Sequence, residues 1–165
     1  TLQAFATNAA GEPIPAELVE KLNRARWFGE GLTTGIQMYY ASLSLNYHSS
    51  DPATFELFPK MLELEQRYSP LPHQDGTYFF TNLGHLNGYS AIYYTYMWSK
   101  VIAADLLTEF KKEGMHNTNT ALRYRQTILS QGGAKPAAEL VSDFLGRNYN
   151  FDAFANDLKK GISGD

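Results

Sequence analysis

The chain has 165 residues, 44% hydrophobic and 19% charged, with a formal net charge of −3 and no cysteine. That length carries one domain with a sizeable core, and the apolar share rules out a disordered chain or a coiled coil. The lack of a basic stripe argues against nucleic acid as a partner, and the lack of cysteine excludes a disulfide framework and thiolate metal sites.

The first fifteen residues show no charged start followed by an apolar run, so no secretory signal is expected. The chain starts with Thr1 rather than methionine, as expected of a processed chain or a piece of a longer one. Pro15 opens the first predicted helix, in which Leu18, Leu22 and Ala25 keep helical spacing. Gly29 and Gly31 are expected to end it. The next stretch places Ile36, Tyr39, Tyr40, Leu43 and Tyr47 on one helical face. Asp51 followed by Pro52 reads as a cap and first turn. The helix it opens contains Phe55, Phe58, Met61, Leu62 and Leu64, with a kink or break expected at Pro59. Ser69 to Gly76 holds two prolines and an Asp-Gly pair and reads as a loop. A long aromatic helix is expected from about Tyr89 to Glu113, stopped by Gly114. Another begins near Thr118, read as its cap. Pro136 opens a short helix that Gly146 ends, and Asp152 begins a last one running to about Leu158. No segment sustains a period of two, so the expected fold is all-α, a bundle or layered helical array.

Two stretches, Gly31 to Ser50 and Gly76 to Ser99, contain no Asp, Glu, Lys or Arg. Each is long enough to cross a bilayer, yet both are full of Gly, Ser, Thr, Asn and His, which lipid penalises. No membrane span is expected. The pair reads as segments shielded from water that line a groove or meet another domain. At about 100° per residue, Tyr89, Tyr93, Tyr96 and Lys100 fall on one stripe of the expected aromatic helix. Buried phenols need hydrogen-bond partners, so this stripe should face water, a ligand or another chain. From spacing alone, a core role and a site role both remain open. His85 adds one polar group just before the stripe. His48, His73, His85 and His116 follow no metal-ligand spacing, and no zinc-peptidase, nucleophile-elbow, phosphate-loop or dinucleotide motif is present.

The run "HLNGYSAIYYTYMWSKVIAADLL" resembles the C-terminal part of the thimet oligopeptidase, oligopeptidase A and peptidyl-dipeptidase family of zinc metallopeptidases. The matching residues are Gly88, Tyr89, Ala91, Tyr93, Tyr94, Tyr96 and Trp98, followed by Ala103, Ala104 and Asp105. Phe110, Gly114, Tyr124 with Arg125, Ile128 with Leu129, the Gly132 and Gly133 pair, and Phe144 to Arg147 continue the likeness, and Gly11 to Gly31 is similar upstream. The resemblance implies an all-α fold and a single helical domain, residues 1–165, forming one wall of a substrate channel. It implies zinc-dependent hydrolysis of short peptides by the intact enzyme. The zinc motif, two histidines of H-E-x-x-H and a downstream glutamate, belongs upstream of this chain, so no metal ligand is expected here.

By the same resemblance, Tyr89 and Tyr96 are the catalytic tyrosines beside the scissile bond, and His85, Tyr93, Gly84, Gly88 and Arg125 contact substrate. His85 and Tyr89 stand closer together than in better-known members. A neutral phenol suits a developing oxyanion, because it donates a hydrogen bond without adding charge to the ground state. The glycines are expected to let their loop close over substrate. The expected partners are short peptides and the zinc-bearing part of the peptidase, with self-association through exposed apolar surface. The alternative is a non-catalytic helical peptide-binding or interaction module. Compartment is left open, with cytoplasm placed ahead of periplasm.

Overall fold

The computed structural model describes residues 2–163, and among them there is no strand, only one antiparallel bridge between Thr7 and Pro13. Helix α1 (Ala16–Trp27) follows Pro15, and α2 (Glu30–Ser49) follows Gly29. Gly29 takes a left-handed φ of 73°, which turns the chain between the two helices, whereas Gly31 is helical inside α2. So one of the two glycines ends α1 and the other does not.

Helix α3 (Leu57–Tyr68) starts later than expected. Asp51 instead closes a turn, its carbonyl accepting from the Thr54 and Phe55 amides at 3.2 and 3.0 Å. Its carboxylate accepts from the Ala53 amide at 3.0 Å. Pro59 therefore falls in the first turn of α3, where an N–H would have no intrahelical partner, and the expected kink has no cause.

A single turn, α4 (His85–Gly88), precedes α5 (Thr95–Glu113), which Gly114 stops at φ 108°. The helix expected from Tyr89 does not form there. Residues 89–94 are turns, and Ala91 has a left-handed φ of 60°. Helix α6 (Thr118–Tyr124) is capped by Asn117, not Thr118: Asn117 Oδ1 accepts from the Asn119 and Thr120 amides. A π turn (Arg125–Leu129) continues it. Helix α7 (Ala137–Leu145) ends at left-handed Gly146, and α8 (Asp152–Ser163) runs past the expected end.

The apolar residues gather in two clusters. In the first, Tyr39, Ala41 and Leu43 of α2 pack with Met61 and Leu64 of α3 and with Leu83 and Tyr93. The two uncharged stretches thus meet each other, and each also keeps exposed apolar residues, such as Leu32 and Leu45 in one and Ile92 and Trp98 in the other. Leu43 and Met61 are fully buried, each contributing about 1.5–3 kcal/mol of burial free energy. In the second cluster, Val141, Phe144 and Leu145 of α7 pack against Ile102, Leu106 and Phe110 of α5 and Tyr124 of α6.

Helix α5 belongs to this second cluster and is also tied down by charge. Asp105, 1% exposed, accepts from Arg147 Nη1 and Nη2 at 2.8 and 2.6 Å and from the Asn150 amide at 2.9 Å. The guanidinium hydrogen bonds hold the Asp105 carboxyl below the usual carboxylate range against the opposing effect of burial. Among the described residues, no helix is long and apolar enough to cross a membrane.

Candidate functional site

Four aromatic side chains meet where α4, the residue 89–94 turns and α5 converge. His85, at the start of α4, sits centrally. Its ring centroid lies 5.7 Å from Tyr89, 5.0 Å from Tyr93 and 5.7 Å from Tyr96. The Tyr93 and Tyr96 rings are 5.0 Å apart. His85, Tyr89, Ile92, Tyr93, Thr95 and Tyr96 line a cleft of about 210 Å³.

The cluster is not the helical stripe expected from the spacing. Only Tyr96 is on α5; Tyr89 and Tyr93 come from the turns before it. The left-handed backbone at Ala91 separates these two tyrosines along the chain while their rings converge on His85. Lys100, expected on the same stripe, instead reaches Glu30 of α2 at 3.3 Å.

The phenols differ in exposure. Tyr89 and Tyr96 are 59% and 53% exposed, while Tyr93 is 8% exposed. Tyr93 donates to Gln37 Oε1 of α2 at 3.1 Å, and its ring meets Tyr40 edge-on at 5.7 Å. Burial raises the Tyr93 pKa, with a smaller push from Tyr40, and the Gln37 hydrogen bond opposes this. Tyr96 Oη lies 3.1 Å from His85 Nε2. One assignment has His85 donating to the phenol oxygen, which leaves the Tyr96 O–H free to donate outward.

Gly84 precedes α4 and Gly88 is its last residue, and neither has a positive φ. The left-handed residue beside the cleft is instead Ala91. Arg125 is exposed on the π turn and does not line the cleft. The neighbouring Arg123 makes the ion pairs, with Glu109 at 3.1 Å and Glu113 at 3.3 Å, and lies over the Phe144 ring at 4.9 Å. Neither Gln37 nor Ala91 receives a role in the sequence reading. Gln37 was open to notice as the one glutamine in an uncharged stretch, whereas Ala91, though part of the matched motif, carries no signal of its left-handed backbone.

The model of peptidase family M3 matches residues 1–160. The chain belongs to peptidase family M3. Among similar members, oligopeptidase A of Salmonella typhimurium is 29% identical over 158 residues, covering 93% of this chain and 23% of that protein. Mitochondrial intermediate peptidase of Rattus norvegicus is 26% identical over 155 residues, 94% of this chain and 22% of that protein. A thimet-like oligopeptidase of Dictyostelium discoideum is 32% identical over 150 residues, 88% of this chain and 22% of that protein. The chain thus spans less than a quarter of the length of these M3 relatives. Among the described residues, no group of three or more His, Cys, Asp or Glu could hold a metal ion.

Proposed function

We propose that this chain forms one wall of the substrate channel of an M3 peptidase that hydrolyses short peptides, as a single helical domain of a longer protein. The observation that carries the reading is the cleft around His85, with the Tyr89 and Tyr96 hydroxyls on its exposed side and Tyr93 locked behind them. Zinc, which the resemblance to zinc metallopeptidases implies, polarises a carbonyl and supplies a nucleophilic water where it is bound. No group of three or more His, Cys, Asp or Glu among the described residues fits such a site, and under this reading the ligands come from the rest of the longer protein.

The tyrosines act on the substrate. Attack on a peptide carbonyl concentrates negative charge on its oxygen, and the Tyr96 and Tyr89 hydroxyls donate to that oxygen and to the neighbouring peptide backbone. His85 Nε2–H donates to Tyr96 Oη, which polarises the phenol toward the oxyanion and fixes its rotamer. Tyr93 keeps His85 in place through ring contact, with its own hydroxyl held by Gln37. Gly84 and Gly88 adjoin the cleft residues His85 and Tyr89 in sequence and face open space, which leaves room for substrate beside the backbone. Arg125 reaches substrate, under this reading, only beyond the cleft itself.

The test is turnover of a quenched fluorogenic peptide by the full-length protein. Tyr96→Phe is expected to lower kcat by about a hundredfold with KM little changed, as for loss of one oxyanion donor. An unchanged kcat would remove Tyr96 from the chemistry. Peptide binding without hydrolysis by the zinc-loaded full-length protein would favour a non-catalytic peptide-binding module instead.

A further inference from the structure

A second cavity, of about 530 Å³, lies between α2, the end of α3 and residues 77–82. It shares no lining residue with the tyrosine cleft. Its wall holds one carboxylate, Glu65, and no lysine, arginine or histidine. Tyr39 also lines it, is 7% exposed, and has a buried hydroxyl with no hydrogen-bond partner among the described residues. The hydroxyls of Ser69 and Thr77 add polar groups, and Tyr40, stacked on Phe79 at 4.6 Å, adds an aromatic wall.

Glu65 is held in place from behind. His73 Nδ1 lies 2.7 Å from Glu65 Oε2, while His73 Nε2 is buried without a partner. With its proton on Nδ1, His73 donates to the Glu65 carboxylate and leaves no orphaned N–H. Burial and then the Glu65 charge both raise the Tyr39 pKa, so this phenol stays neutral.

These walls discriminate among occupants. Glu65 repels an anion. A neutral aliphatic group would take water from Glu65 and still leave the Tyr39 hydroxyl unpaired, both of which cost free energy. An ammonium group has three N–H donors: one for Glu65, one for the Tyr39 oxygen and one for a wall hydroxyl. Aromatic faces attract the same charge. The volume falls within the range of small-ligand sites.

We propose that this cavity binds a primary ammonium group, carried by a lysine side chain or by a free alkylamine. The site stands apart from the proposed hydrolytic cleft and does not rest on that function. The test is calorimetric titration of the full chain at pH 7.5 with n-butylammonium, n-butanol and n-butyrate. n-Butylammonium is expected to bind, with the alcohol and the carboxylate about tenfold weaker or more. Glu65→Gln should weaken n-butylammonium about tenfold, and Tyr39→Phe about threefold. Amide shifts on binding should fall in α2 and residues 77–82.

Equal binding of the alcohol and the ammonium, an unaffected Glu65→Gln variant, or shifts confined to His85–Tyr96 would each overturn the proposal. If Glu65→Gln unfolds, which a circular-dichroism melt detects, the head-group series on the unmodified chain still decides. A blocked Ala-Lys-Ala peptide and its norleucine analogue separate the two sources. A lysine peptide that binds about tenfold tighter than n-butylammonium, with the norleucine peptide falling back, identifies a lysine side chain. Parity between the lysine peptide and the free amine identifies an alkylamine, and binding of neither overturns the proposal.

Discussion

Cutting the Asp105–Arg147 link from its two ends should have unequal effects. Asp105 is 1% exposed at its side chain and Arg147 41%. In Asp105→Asn the guanidinium loses a charged acceptor but can turn to water, and the Asn150 amide keeps an oxygen. A cost of about 3 kcal/mol is expected, the low end for breaking a buried pair. In Arg147→Met the carboxylate stays buried with one backbone donor and no counter-charge, and the cost rises to about 4–5 kcal/mol. For a chain of this size each kcal/mol is about 2–4 °C in Tm, so losses of about 9 °C and 14 °C should appear in thermal unfolding followed by circular dichroism.

The pH dependence separates the two variants further. The folded Asp105 carboxyl titrates below its ordinary value. Its contribution is therefore full above the unfolded value of about 3.9 and is lost as pH falls through the lower folded value. In Arg147→Met burial raises the carboxyl pKa instead, and protonation relieves the strain. The Tm gap between the unmodified chain and Arg147→Met should then narrow steadily from pH 7 toward pH 4. A gap independent of pH, or an Asp105→Asn variant less stable than Arg147→Met, would refute the assignment of the link to buried charge.

Gly35→Ala should destabilise the chain by about 1–2 kcal/mol in urea unfolding, because its Cβ would lie 3.0 Å from the Tyr68 carbonyl oxygen. Gly31→Ala, in the same helix with nothing within 4 Å, should instead stabilise by about 0.5 kcal/mol. At Ala91, glycine should be tolerated and valine should cost about 1–3 kcal/mol, since a β-branched residue fits a left-handed φ poorly. A melt of each variant checks this order. Asn117→Ala should lower stability by about 1 kcal/mol through loss of the α6 cap, and Thr118→Ala should have little effect.

The all-α class was legible because helical spacing runs through the chain and left-handed glycines stop its helices where expected, as at Gly29 and Gly146. The resemblance put His85 and the tyrosines at one substrate site, but the backbone path that brings their rings together was not expected. Residues 89–94 carry helical spacing and contain neither glycine nor proline, yet they form turns. Burial of Tyr93 against α2, with its hydroxyl on Gln37, outweighs local propensity there. Pro59 misled for a related reason: a proline signals a break or a first turn equally well, and only the position of the helix start distinguishes them. Arg123 and Arg125 look alike in sequence, and which one meets Glu109 depends on the phase of α6.

The division of the core into two clusters bears on how the chain is made. The first cluster joins α2 to Tyr93, so its parts are separated by about fifty residues of chain that must be synthesised first. Until then α2, aromatic and without charge after Glu30, emerges from the ribosome with α3 as a partner but with its Tyr93 side open. The second cluster draws on residues 102–149 and closes later, over a shorter span. A ribosome pausing between α3 and Tyr93 would hold the chain in its most adhesive state, and that interval is where a nascent-chain chaperone has most to cover.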